Sequence, residues 1–265
     1  MRKLQRSKTK KYKLRSDKKS YLKRLSNELV VDYMSNTFRP KYSDIIKSIN
    51  SDIGLTKIRK VINSHYDLYA EISHTKRSKA VRLTENLLNE VKEMLPSDFE
   101  MPQIAVVDFE IFNAEADAIG GYDKTNNIMY MNSRYNTREK ILDYLQRNEG
   151  FFASTTIYAP ILHELGHKYY YDLIGKYSKQ RNISYNEAEQ IVRDKIADYV
   201  HERNENGYFL KKNLSKYAQD GYNNGKYSEI VAEAFSAFNS NTTAKEIINL
   251  IGGLLLWCCN LQNES

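Results

Sequence analysis

A chain of 265 residues, 41% hydrophobic and 28% charged with only four prolines, has a globular composition that excludes a fibrous or low-complexity polymer. Its two cysteines, Cys258 and Cys259, are neighbours and so rarely meet disulfide geometry, which argues against a disulfide framework and for a reducing compartment. The formal net charge of +7 is unevenly spread: residues 1–25 hold twelve Lys/Arg against Asp17, a balance of +11, and taking that from +7 leaves −4 for the remainder.

The basic arm, residues 1–25, comes first. Like charges repel and little is available to bury, so the arm is expected to be disordered. It reads either as a tether to nucleic acid or another polyanion, or as a solvated tail. No apolar stretch of signal-peptide type follows it, since Tyr21 onward reads Tyr-Leu-Lys-Arg-Leu, and a cytoplasmic location is expected.

Residues 26–97 read as a helical N-terminal region. Ser43, Ile45, Ile46, Ile49, Ile53 and Leu55 form one apolar stripe, and Val81, Leu83, Leu87, Leu88, Val91 and Leu95 another. Thr84 to Leu95 is the cleaner helix, ended by Pro96. His65 and His74 read as surface or packing residues.

The pattern changes near residue 98. Gln103 to Phe112 is β-branched and partly alternating, which predicts a strand. Ala118–Tyr122 and Asn127–Met131 flank the turn-like Asp123-Lys124-Thr125-Asn126, predicting a β-hairpin. Its strand near Ile128–Met131 is a candidate substrate edge, because extended peptides bind by strand addition. Arg138 to Asn148 is a short helix. Pro160 either opens the next helix or kinks it. Beyond it the chain reads as helical to the end, with breaks at Gly175, Gly207, Gly221 and Gly225. The most apolar run, Ile247 to Cys259, has 13 residues, short of the roughly 20 a spanning helix needs, and reads as a buried helix or strand.

The chemistry is concentrated in His163-Glu164-Leu165-Gly166-His167. Residues four apart share a helix face, so both imidazoles can ligate one Zn²⁺ at about 2.0–2.1 Å. Glu164 then stands beside the metal, able to hold and deprotonate its water. A catalytic zinc takes a third protein ligand. Position 173, where an extended motif would place a histidine, is Leu173, which excludes that class. In Tyr227-Ser228-Glu229-Ile230-Val231-Ala232-Glu233-Ala234-Phe235, Glu229 and Glu233 share one face of an otherwise apolar helix. Buried carboxylates need a cationic partner. Zinc supplies one partner, and the outer N–H of a ligating histidine supplies the other. The rival third ligand is His201.

These two motifs together resemble the gluzincin pattern of anthrax-lethal-factor-type peptidase domains, and similar zincin domains accompany phage head-morphogenesis and minor capsid proteins. The resemblance covers about residues 100–250, with the domain as a whole taken as 98–265. It implies an α+β, zincin-like fold: a small mixed sheet whose edge hairpin packs on the HExxH helix, a mostly helical C-terminal half and a helical N-terminal region. It implies that His163, His167 and Glu229 bind zinc, that Glu164 is the general base and that Glu233 supports a ligand from behind. In that family a tyrosine seven residues before the ligand Glu steadies the oxyanion. Tyr222 stands at that offset, with Tyr227 as its competitor. Glu229 follows His167 by 62 positions, which exceeds the family's interval, and an inserted helical segment over about 181–215 accounts for the excess. The expected activity is zinc-dependent hydrolysis of protein or peptide substrates. Two alternatives stand beside it: a capsid- or DNA-associated phage protein, located in the virion, with a mainly structural role, or a toxin or effector protease with one protein target.

Overall fold

The computed structural model describes residues 55–60, 66–71, 79–109, 117–204 and 206–261. The basic arm and the stripe from Ser43 to Ile53 lie outside these residues, as do His65 and His74.

The first unit carries a five-stranded mixed sheet and takes in residues through Thr84 and Gln103–Asn136. Its strands are β1 (Leu55–Lys60), β2 (Asp67–Glu71), β3 (Gln103–Val107), β4 (Gly120–Asp123) and β5 (Ile128–Asn132), in spatial order β1-β2-β3-β5-β4. β2, β3 and β5 run parallel, and β1 and β4 are antiparallel to their neighbours. The helical expectation over 26–97 is therefore corrected at β1 and β2. Tyr66, Leu68 and Ala70 are buried at alternate positions, the strand period. Strands of five or six residues are too short for periodicity alone to separate them from helix, and β2 is fixed by pairing with β3, more than 30 residues along the chain.

The expected hairpin is present as β4–β5. Asp123 Oδ1 accepts from the Thr125 and Asn126 amides at 2.9 and 3.3 Å, and Asn127 takes the left-handed conformation (φ +52°) that closes the turn. The substrate-edge expectation for Ile128–Met131 is corrected, because β5 lies between β3 and β4 and each of its residues is buried. Such a run, apolar at Ile128, Met129, Tyr130 and Met131, is what an interior strand flanked on both sides requires. The edge strand of the hairpin is β4. The strand begun at Gln103 ends at Val107, short of the expected Phe112.

The second unit takes Glu85–Pro102 and continues from Thr137. The unit boundary falls within α1 (Lys79–Lys92), whose residues Val81, Leu87, Leu88 and Val91 are buried, as the stripe predicts. There follow α2 (Arg138–Arg147), α3 (Ala159–Arg181), α4 (Tyr185–Arg203), α5 (Phe209–Asn213), α6 (Lys216–Asn223), α7 (Tyr227–Ala237) and α8 (Thr242–Leu261). Thr137 caps α2 by accepting from the Lys140 amide. Pro160 lies in the first turn of α3, where its missing N–H costs nothing, so it opens the helix and does not kink it. Ser184 and Glu187 form a capping box that starts α4 after the turn at Asn182. Gly207 and Gly225 mark breaks, whereas Gly175 and Gly221 lie inside α3 and α6.

The core of this unit joins Tyr170, Leu173, Ile174 and Tyr177 of α3 to Ala188, Val192, Ile196 and Val200 of α4. It also takes in Ile230, Val231 and Ala234 of α7, and Ala244, Ile247 and Ile251 of α8. The apolar run begun at Ile247 is thus helical. Among the described residues, no helix is long and apolar enough to cross a membrane.

Candidate metal centre

The centre is made where α3 crosses α7, and the crossing depends on Gly166. A Cβ at Gly166 would stand 2.7 Å from Ala232 Cα and 2.8 Å from Phe235 Cβ, so only glycine lets the two backbones approach this closely. The approach brings Glu229, in the first turn of α7, against the face of α3 that carries His163 and His167. α6 packs close against the base of the same side chain: a Cβ at Gly221 would stand 2.9 Å from Glu229 Cβ.

Glu229 Oε2 lies 3.4 Å from His163 Nε2 and 3.3 Å from His167 Nε2. Charge-assisted N–H···O bonds run to about 2.7–2.9 Å, so these separations are long for hydrogen bonds, and Oε2 is buried without any hydrogen-bond partner. Two donors each about 2.05 Å from one ion, tetrahedrally disposed, would lie about 3.3 Å apart. The spacing therefore fits donors that share a metal. One donor atom from each of His163, His167 and Glu229 falls within 4.8 Å of the others, and among the described residues this is the only such group of three or more His, Cys, Asp or Glu.

Glu233 supports the group from behind. It is 1% exposed, and a bare carboxylate there would be costly. Both its oxygens are engaged: Oε1 accepts from His163 Nδ1 at 2.8 Å and Oε2 from the Ala153 amide at 2.6 Å. A carboxylate offers only acceptors, so Nδ1 carries a hydrogen, and it is Nε2 that must give up its proton to turn a lone pair toward a metal beside Glu229. Without a metal, burial works against a charged His163, but Glu229 and Glu233 outweigh it and hold the imidazole well above its ordinary pKa. Burial likewise pushes the Glu229 carboxyl up, and His167 and His163 overcome it, holding the group well below the usual carboxylate range. Glu164 is buried on the same helix, one residue after His163.

The rival positions fall elsewhere. His201 is exposed in the last turn of α4, outside the group. The ring of Tyr222 meets Tyr227 at 5.9 Å, and Tyr227 in turn lies under the Arg193 guanidinium at 5.1 Å. The phenol at the histidines is Tyr217, which the sequence reading missed. Its ring stacks on His163 at 5.6 Å and 24°. Residues five apart lie about 140° apart around a helix, and of the two tyrosines it is Tyr217 that α6 stacks on a histidine. The family offset singled out Tyr222. The face of α6 opposite it was the signal for Tyr217. Burial raises the Tyr217 phenol pKa, and Glu229, Glu164 and Glu233 raise it further, so the group stays protonated and able to donate. Compared with family models, curated proteins and solved structures, the chain matches none.

Proposed function

We propose that the chain is a zinc-dependent peptidase of gluzincin type with a zincin-like fold, in which His163, His167 and Glu229 hold the metal. One observation carries this reading: two imidazole nitrogens and a buried, otherwise unpartnered carboxylate oxygen stand at the mutual distances of donors around one ion. Bound there, zinc would supply Lewis-acid activation of water and of the scissile carbonyl.

The residues supply the rest. Glu164 takes the proton of the attacking water and returns it to the departing amine, work that a carboxylate on the motif helix is placed to do. Glu233 fixes the tautomer and ring direction of His163. Tyr217, in place of Tyr222, donates its phenolic hydrogen toward the negative charge that develops on the carbonyl oxygen. The substrate class is a peptide or protein.

The test is Glu164→Gln. Zinc should remain near one per chain, while hydrolysis of a denatured-protein substrate falls by about 10²–10⁴-fold, the usual contribution of a positioned proton acceptor. Full activity in this variant, or a purified chain that takes up no zinc, refutes the proposal.

A further inference from the structure

Four groups stand in a column at the metal centre. His163 lies against Tyr217 (5.6 Å, 24°), Tyr217 against Phe151 (5.2 Å, 26°), and the Lys216 ammonium over the Phe151 ring at 4.9 Å. Phe152 closes the column edge-on, 5.8 Å from Tyr217 and 4.9 Å from Phe151. The Tyr217 ring is thus stacked against two partners, and its backbone is tied as well, since its amide donates to the Phe151 carbonyl at 2.9 Å. The segment that supplies Phe151 also supplies the Ala153 amide that holds Glu233, the Nδ1 partner of His163. One short stretch, Gly150–Ala153, therefore reaches His163 by two routes: through Glu233 at the ring edge and through Tyr217 at the ring face.

We propose that Tyr217, held by Phe151, is a positioning residue for the metal ligand His163: its ring sets the plane of the imidazole. An imidazole pinned only at Nδ1 can still swing about that bond. A stacked ring on its face removes that freedom, and aromatic pairs of this kind are held together beyond the area they bury. Ligands already in place lose less entropy when the ion arrives, so the column raises metal affinity without touching the metal. The inference rests on the metal site of the peptidase reading but not on hydrolysis.

The experiment uses the full chain. Zinc affinity is measured by competition with a chromogenic chelator, and the visible spectrum of the Co²⁺-loaded protein reports ligand geometry. Tyr217→Leu removes ring and hydroxyl together, and it should weaken zinc binding about 10–100-fold, the range for lost supporting partners, and alter the Co²⁺ band shape. Tyr217→Phe keeps the stack and should recover most of the affinity and of the band shape. Phe151→Leu should reproduce the spectral change to a smaller degree with Tyr217 intact. Circular dichroism checks folding, and if Tyr217→Leu does not fold, Phe151→Leu decides. Zinc affinity within twofold of wild type and an unchanged Co²⁺ spectrum in the folded variants overturn the inference. A wild-type chain that binds no zinc overturns it together with the peptidase reading. A chain that binds zinc, cleaves no peptide and is weakened by the Tyr217 substitutions refutes the peptidase reading alone.

Discussion

Replacing Gly166 with alanine probes the helix crossing on which the centre depends. The new methyl carbon would stand 2.7 Å from Ala232 Cα, where ordinary contact begins at 3.4 Å, so α7 must withdraw by about 0.7 Å. Both close neighbours, Ala232 Cα and Phe235 Cβ, belong to or sit directly on the α7 backbone, so no flexible side-chain tip can yield instead. Overpacking of this severity costs about 2–3 kcal/mol. Better helix propensity returns about 1 kcal/mol. The net loss of about 1–2 kcal/mol should lower the melting temperature by about 2–8 °C for a chain of this size. The metal centre should suffer more than the fold. Ligand distances tolerate about ±0.2 Å, and a 0.7 Å withdrawal of the helix bearing Glu229 exceeds that severalfold. Zinc affinity should fall about 10–100-fold. Thermal melts followed by circular dichroism and chelator competition measure the two effects. A Gly166→Ala variant that melts at or above the wild-type temperature with unchanged zinc affinity refutes the crossing argument, because helix propensity alone would then govern the site.

Two further outcomes are expected. Glu229→Ala should weaken zinc binding most, Glu233→Ala by about 10–100-fold and His201→Ala hardly at all. A chelator titration in which His201→Ala is the most damaging would make a histidine the third ligand. Zinc affinity should also rise with pH: Glu229 is held well below the usual carboxylate range and stays charged near neutrality, whereas His163 is held above its ordinary value and must lose a proton to ligate. The proton competes as long as pH lies below that raised value, so affinity should fall about tenfold for each unit of acidification there. The same affinity at about pH 6 and about pH 8 would count against His163 as a ligand.

Where local chemistry decides the structure, the sequence was legible. The turn at Asp123–Asn126 and the helix after Thr137 follow from short-range rules of turn geometry and capping, whereas at Pro160 such rules left opening and kinking equally open. The pairing of Glu229 with the histidines was readable because two carboxylates on an apolar helix require partners. What stayed hidden depends on long-range contact. β1 and β2 carry weak patterns and are specified by neighbours in the sheet. The interior place of β5 follows from strand order, which periodicity does not encode. Tyr217 was passed over because its role comes from which face of α6 meets α3, and the chain offers many tyrosines to any offset rule.

The offset of 62 positions from His167 to Glu229 can also be read through the statistics of closing a loop. The entropy of joining two ends grows only with the logarithm of the intervening length, so doubling this stretch would cost about 0.6 kcal/mol more. The excursion through α4 and α5 is therefore thermodynamically cheap to lengthen or shorten, provided Ala188, Val192, Ile196 and Val200 still present their apolar stripe to the core. The spacing between the two motifs is then a weak criterion for recognising such a site. The crossing at Gly166, where a single added carbon has no room, is a far stricter one.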